Sequence, residues 1–238
     1  MLEAAFWGLV TAGSLWVGAA LALLRPPSRA IGLAMAFGAG ALIAAVSYEL
    51  VLDAVATDVQ LAALGFACGA LVFYGGDWAI ERRGGGARKS MTGDKQLAGS
   101  ANAIVLGTVL DGIPESFVLG ASLAQEGIVP VAVVVGVFVS NVPEALSGTT
   151  GLLQAGWSRS RTFAMWSGVV LVSVVSAVLG WRLLETMGTE GGAFATAFAA
   201  GAVLVMLADT LMPEAFELGG REAGLLTALG FAVGFGLS

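Results

Sequence analysis

Apolar residues along this chain fall into eight blocks, most of them 20 residues or longer, separated by short polar stretches. A helix needs about 20 apolar residues to cross the ~30 Å hydrocarbon core of a bilayer, so each block predicts one membrane-spanning helix. The predicted spans are 4–24, 31–52, 60–80, 100–124, 128–154, 162–184, 192–214 and 223–238. The pattern therefore predicts an all-α polytopic membrane protein, with one transmembrane domain over residues 1–238.

The loops between these blocks alternate in charge. Ten of the 11 Lys and Arg residues follow the first, third, fifth and seventh spans. Because Lys and Arg concentrate in cytoplasmic loops, these four loops are predicted to be cytoplasmic and both termini extracytoplasmic, in a multi-pass protein of the cell (inner) membrane. Residues 82–99, which are basic and contain three consecutive glycines, are expected to form a flexible cytoplasmic linker.

Composition narrows the chemistry. The chain is 57% hydrophobic and 12% charged, with a mean hydropathy of +0.88, whereas a soluble domain carries about 25% charged residues. It contains no histidine and one cysteine, Cys68, so an intrachain disulfide is excluded. Imidazole is the commonest transition-metal ligand, and one thiolate does not make a site. A metal site in this chain is therefore expected to use oxygen ligands.

Two regions of the sequence resemble each other. Residues 61–70 match residues 226–235 at seven of ten positions, at a spacing of 165, and residues 36–41 match 197–202, at a spacing of 161. These matches pair spans of opposite direction, which predicts an inverted repeat of about 1–81 and 160–238 around a central helix pair, 100–154. The alternative is that Gly/Ala-rich helices resemble each other by composition. Inverted repeats are common in transporters, with the substrate site near mid-membrane.

The most unusual polar residues lie in the fourth and fifth spans, within the motifs Asp111-Gly-Ile-Pro-Glu115 and Ser140-Asn-Val-Pro-Glu144. A charged side chain at the bilayer centre costs about 3 kcal/mol or more, so such residues usually face a protein interior or an aqueous path. Residues four apart share a helix face, and each proline leaves one carbonyl of the preceding turn without its N–H partner. Both features concentrate oxygen atoms at the same depth.

Together these two helices offer an oxygen-rich cage for a divalent cation. The predicted metal ligands are Asp111, Glu115, Ser140, Asn141 and Glu144. The alternative is a pair of kinked helices whose acids are protonated or hydrogen-bonded to each other. Glu49 and Asp53 on one side of this site, and Asp209 and Glu214 on the other, are possible relay points. The alternative is that Asp53 and Glu214 are simply interfacial.

The whole chain resembles the ZIP family of divalent-metal permeases. The resemblance is carried by the two Pro-Glu motifs, by the run GAGALIAAVSYELVLDA in the second span, by GFACGALVFYGGD in the third and by GAVLVMLADTLMPEA in the seventh. It implies eight spans arranged as three, two and three, and transport of a divalent cation, zinc in most of the family, with no organic cofactor.

The motifs depart from the family pattern at several positions. Asp111 and Ser140 stand where the family has His and His or Gln, while Glu115 and Glu144 match its glutamates. Gly112 and Thr210 replace ligands of the family's second metal position, so we expect one metal ion per chain. An all-oxygen site suits manganese or iron(II) better than zinc.

Two other functions remain open from the sequence. The loss of the family histidines is compatible with a transport-inactive metal sensor or scaffold. Tyr74-Gly-Gly-Asp77 faintly resembles the Gly-x-Gly-Asp motif of intramembrane aspartyl hydrolases. The leading expectation is a transporter rather than an enzyme, with a divalent metal ion and the lipid bilayer as partners, no nucleic acid, and a possible homodimer.

Overall fold

The structure, a computed structural model, describes residues 1–82 and 101–238. Within those residues the secondary structure is helical, with no strand, so the predicted all-α class is confirmed. The helices are α1 (Leu2–Ala22), α2 (Ser28–Thr57), α3 (Val59–Arg82), α4 (Ala101–Glu126), α5 (Val131–Gln154), α6 (Arg159–Gly188), α7 (Gly191–Gly219) and α8 (Glu222–Leu237). From residue 83 onward, the predicted linker lies outside the described residues.

Seven of these helices are long and apolar enough to cross a membrane, and α8 is a shorter apolar helix of 16 residues. The molecule is therefore compatible with the predicted polytopic membrane protein. The helices α2 and α7 continue five residues beyond the predicted spans, which ended at 52 and 214. The apolar pattern stops there because the last turns carry acidic residues, but the backbone stays helical.

Helix ends follow local chemistry. Gly188 has φ 70° and ψ −174°, a conformation that separates α6 from α7 within an otherwise continuous helical run. The Asp58 carboxylate caps α3 by accepting from the backbone N–H groups of Gln60 and Leu61, both at 2.9 Å. In α1, a turn at Gly13 separates Leu2–Ala12 from Ser14–Ala22. Gly13 keeps α-helical torsion angles, φ −59° and ψ −24°, so the first helix is locally distorted near its middle but continuous.

Two helix pairs pack so closely that their backbones touch. A Cβ on Gly40 of α2 would lie 1.9 Å from the Thr227 carbonyl oxygen of α8. A Cβ on Gly201 of α7 would lie 2.1 Å from the Phe66 carbonyl oxygen of α3. Small residues permit such approach between membrane helices, where packing rather than water exclusion holds helices together.

The two close contacts have the same spacing along the chain. Gly40 and Gly201 are 161 residues apart, and so are their contacts Phe66 and Thr227. The same spacing relates Gly69, which approaches the Phe198 carbonyl, to Gly230, which approaches the Phe37 carbonyl. Of the two spacings found in the sequence, 161 therefore describes these contacts, and the match at 165 is displaced from it by about one helical turn.

Both α2 and α7 contain a π-helical segment at this same spacing. The segments are Val46–Val51 in α2 and Leu207–Leu211 in α7. A π-segment adds one residue to a helical turn and occurs frequently at functional sites. The added residue shifts the positions that follow it around the helix axis relative to the preceding face.

Candidate functional site

The central helices are held in place next to the two prolines. The Ser176 hydroxyl of α6 donates to the Ile113 carbonyl of α4, at 2.7 Å, one residue before Pro114. On α5, the backbone of Ser140 lies against Gly38 of α2, whose Cβ would be 2.8 Å from the Ser140 Cα. These contacts fix the depth of both Pro-Glu motifs between neighbouring helices.

Three carboxylates from three helices line one small cavity of about 50 Å³. They are Asp111 of α4, Glu144 of α5 and Glu214 of α7, of which Asp111 is 4% and Glu214 6% exposed and Glu144 is half-buried. The remaining lining residues are Ile104, Gly107, Thr108, Ser147, Gly148 and Thr210. The cavity thus concentrates acidic and hydroxyl oxygens inside an apolar bundle.

The cavity reaches from the middle of the bundle toward one end. Ile104 and Thr108 lie near the beginning of α4, Gly148 lies toward the end of α5, and Glu214 lies toward the end of α7. This is the end at which the basic loops leave the helices, the side predicted to be cytoplasmic.

Hydroxyl groups orient the acids around this cavity. The Ser147 hydroxyl donates a short hydrogen bond to Glu214 Oε1, joining α5 to α7. Thr210 Oγ1 is buried and has no hydrogen-bond partner among the described residues. A buried hydroxyl without a partner is costly, so Thr210 is an available ligand for a polar guest in the cavity.

Glu115 and Ser140 form a second polar contact, deeper in the bundle. The Ser140 hydroxyl lies 3.4 Å from Glu115 Oε1 and also donates to the Val137 carbonyl at 3.0 Å. Glu115 is 1% exposed, and Asp111 is near enough to interact with it electrostatically. Glu115 therefore lies between Asp111, which lines the cavity, and the apolar side chains deeper in the bundle.

Beyond Glu115 the bundle is closed by apolar side chains. Together with Glu115, they border a gap of only about 10 Å³. They come from α2, α4, α5 and α7 and are Leu42, Ala45, Val46, Leu50, Val118, Val133, Val137 and Val203. This apolar layer lies toward the end where α4 ends and α5 begins, opposite to the cavity.

The five predicted ligands are thus distributed over three environments. Asp111 and Glu144 line the cavity, Glu115 and Ser140 contact each other beside the apolar layer, and Asn141 Nδ2 donates to the Thr11 carbonyl of α1 at 3.4 Å. The Asn141 amide therefore contacts the backbone of α1 two residues before Gly13. Across the described residues, no three Asp, Glu, His or Cys side chains are close enough to hold a metal ion together.

The predicted relay residues lie outside the cavity. Glu49 is half-buried within the π-segment of α2, Asp53 is exposed, and Asp209 is half-buried within the π-segment of α7. The residues of α7 that line the cavity are Thr210 and Glu214 instead. Asp77, the aspartate of the hydrolase-like motif, is 3% exposed on α3 but does not line the cavity.

Sequence reasoning missed Ser147 and left Glu214 between an interfacial and a relay role. Helical spacing was the signal that could have found them. Ser140, Glu144 and Ser147 lie at positions i, i+4 and i+7 of α5, and Thr210 and Glu214 lie four apart on α7. Each set forms one polar stripe on an otherwise apolar helix.

Comparison with known proteins does not identify the chain. No protein-family model matches it, and a search of characterised proteins gives no significant match. The similarity to ZIP permeases therefore remains a resemblance carried by the motifs, and the function has to be argued from the site.

Proposed function

We propose that this chain is a divalent-metal permease with a ZIP-like architecture. The observation that carries the proposal is the placement of Asp111, Glu144 and Glu214, from three different helices, around one cavity inside an apolar bundle. Ionised carboxylates at such a place repel each other and lack the solvation of bulk water. A divalent cation compensates both effects.

The chemistry of the donors bears on the ion. Carboxylates and the Thr210 and Ser147 hydroxyls supply oxygen only, a set that suits manganese or iron(II) better than zinc. Fewer than three acids are within mutual ligand distance, so a bound ion keeps water ligands or draws the helices together. A partly hydrated ion is held weakly enough to be released, as transport requires.

The path we propose runs from the apolar layer to the cavity. Glu115 and Ser140 lie where the ion would pass from the closed side, and Glu214 lies where it would leave toward the predicted cytoplasmic side. With the apolar layer closed and the cavity on the other side, this arrangement corresponds to an inward-facing state. Glu49 and Asp53 would attract the ion from outside.

An arrangement of the helices as three, two and three, with an inverted repeat, would supply the movement. It is supported by the matching close contacts and π-segments at a constant spacing of 161 residues. In inverted-repeat transporters, one unit rocks against another around a fixed midplane site. Here α4 and α5 would carry the site, and α2 and α7 would close it alternately from either side.

Uptake of ⁵⁴Mn²⁺ into proteoliposomes tests the proposal. We expect Glu144→Gln to lower the initial rate at least about tenfold, because it removes a charged ligand without changing side-chain size. Glu185→Gln is the matched control: Glu185 is exposed and pairs with Arg182 at 2.9 Å on the surface, where such a pair contributes little.

Absence of uptake by the wild-type chain, with binding of the metal retained, would favour the sensor or scaffold instead. Equal rates for Glu144→Gln and Glu185→Gln would show that the cavity is not on the transport path.

A further inference from the structure

A second polar cavity, of about 530 Å³, lies at the end of the bundle from which the basic loops leave. It is formed where α1 ends, α2 begins, α5 ends and α6 begins. Its lining residues are Ala22, Leu23, Arg25, Pro26, Ser28, Thr150, Leu153, Gln154 and Arg159. The volume lies in the range of small-ligand sites, and the cavity is separate from the one that contains Asp111.

The charge of this cavity is unbalanced. Arg25 and Arg159 both line it, and none of its lining residues is acidic. Neither arginine forms an ion pair with a carboxylate in the described part of the chain. The neighbouring Arg29 differs, because its guanidinium pairs with Glu222 at 2.7 Å. Both arginines are exposed at the mouth of the cavity, so their charges are accessible to an anion from outside. A guanidinium recognises phosphate oxygens through two parallel hydrogen bonds.

The backbone holds Arg25 in an unusual conformation. Its φ is 53°, and it is the only residue other than glycine with a positive φ among residues 1–82 and 101–238. The next two residues, Pro26 and Pro27, have φ fixed by their rings. Strained residues of this kind persist where the surroundings define them and occur often at ligand-binding positions. The segment between α1 and α2 is therefore rigid at the position of Arg25.

Besides the two arginines, the cavity contains neutral side chains that can donate hydrogen bonds to an anion. Ser28 and Gln154 line the cavity, and neither side chain has a hydrogen-bond partner in the described residues. Trp157, next to the cavity in sequence, lies under the Arg161 guanidinium at 3.7 Å, an arrangement suited to the lipid–water boundary.

We propose that this cavity binds a phosphate group, that of an anionic phospholipid of the membrane leaflet on this side. Position favours the lipid as the source, because the cavity lies at the level where the helices leave the bilayer. Basic pockets between the ends of membrane helices on the cytoplasmic side are suited to lipid head groups. The proposal requires only that these helix ends lie at a membrane surface, and it is independent of metal transport.

Lipid retention by the metal-free chain tests this proposal. The wild-type chain in neutral detergent would be titrated with phosphatidylglycerol and followed by native mass spectrometry. One tightly retained phosphatidylglycerol per chain is expected, with phosphatidylcholine bound at least about tenfold more weakly. An equal affinity for the two lipids would overturn the proposal.

Amino-acid substitutions distinguish lipid binding in this cavity from a general attraction of the lipid to positive surface charge. Arg25→Gln combined with Arg159→Gln is expected to weaken phosphatidylglycerol binding at least about tenfold, since two charged hydrogen-bond donors are lost. Arg161→Gln is the matched control, because Arg161 is as exposed as Arg159 and lies two residues from it but does not line the cavity. It should change phosphatidylglycerol binding less than about twofold. Equal weakening in both variants would refute a defined site.

Two further measurements control for the folding of the variants and identify whether the bound phosphate belongs to a lipid or is a free ion. Arg25→Lys combined with Arg159→Lys keeps the charge but loses the planar fork, and should retain part of the binding if it folds. Excess inorganic phosphate should displace the lipid only at millimolar concentrations. Displacement at concentrations equal to those of the lipid would refute the lipid as ligand and assign the cavity to a free phosphate ion.

Discussion

At the residue scale, the acidic groups were easier to find than their partners. Asp111, Glu115 and Glu144 stand out in the sequence because a charge in a long apolar block is costly. Their grouping was harder to predict, since it depends on which helices meet. Asn141, which the motif suggested as a ligand, donates to the Thr11 carbonyl of α1. Glu214 lines the cavity just after the π-segment of α7, whose added residue shifts the register of the positions that follow it.

Replacement of Asp111 by histidine should change ion selectivity. Asp111 lines the cavity and is a proposed oxygen ligand, and imidazole binds zinc better than carboxylate does. Competition between Zn²⁺ and ⁵⁴Mn²⁺ during uptake should therefore shift toward zinc in Asp111→His, by about tenfold or more. If Asp111→His retains uptake with the same preference between Zn²⁺ and Mn²⁺ as the wild type, Asp111 does not contact the metal.

Glu214 offers a test of the path that leaves the cavity. Its Oε1 accepts from Ser147, so Ser147→Ala removes only the orienting hydroxyl while Glu214→Gln removes the charge. We expect Glu214→Gln to slow uptake at least about tenfold and Ser147→Ala to slow it less. Thr57→Ala serves as the control, because this exposed hydroxyl bonds only its own helix, at Asp53. Uptake by Glu214→Gln equal to that of the control would remove Glu214 from the path.

At the element scale, the helices and their number were predictable, but their exact relationship was not. The apolar pattern gave the spans within a few residues at most ends, because hydrophobic length is set by the bilayer. It missed the two π-segments, Val46–Val51 and Leu207–Leu211, since periodicity over so short a stretch carries little signal. Sequence matching likewise could not distinguish a spacing of 161 from one of 165, because Gly and Ala recur every turn in these helices.

The close helix contacts predict a marked effect of one methyl group. In Gly201→Ala, the new Cβ would lie 2.1 Å from the Phe66 carbonyl oxygen, so α3 and α7 must separate. Overpacking of this kind costs about 1–3 kcal/mol. Gly168→Ala is the control, because no atom lies within 4 Å of its Cβ position. The midpoint of thermal unfolding in detergent should be lower for Gly201→Ala than for the wild type, and unchanged for Gly168→Ala. Equal midpoints would mean that these helices are not in contact at this depth.

At the scale of the whole molecule, many alanines lie at the helix contacts, while many large apolar residues are exposed on the outer surface. Ala39 and Ala200 are fully buried, whereas Leu71, Leu171 and Leu225 are 69%, 65% and 73% exposed. A soluble protein would bury the leucines, since water exclusion rewards their area most. In a bilayer, lipid covers the leucines and small residues let the helices approach. The distribution of sizes therefore agrees with the membrane location, a property that composition alone already indicated.

The direction of the helices is the last property that can be tested. With Cys68 replaced by Ala, single cysteines would be introduced at Ile128, between α4 and α5, and at Ser160, at the start of α6. Both positions are exposed, Ile128 at 64%. They are separated by α5, whose 24 residues span about 36 Å, enough to cross a bilayer, so we expect them on opposite sides of the membrane. A membrane-impermeant maleimide added to whole cells should label Ile128→Cys, and should label Ser160→Cys only after lysis, because Arg159 and Arg161 at the start of α6 favour the cytoplasmic side. Labelling of both cysteines from outside would contradict the eight-helix topology, and with it the proposed opposite orientation of the two repeats.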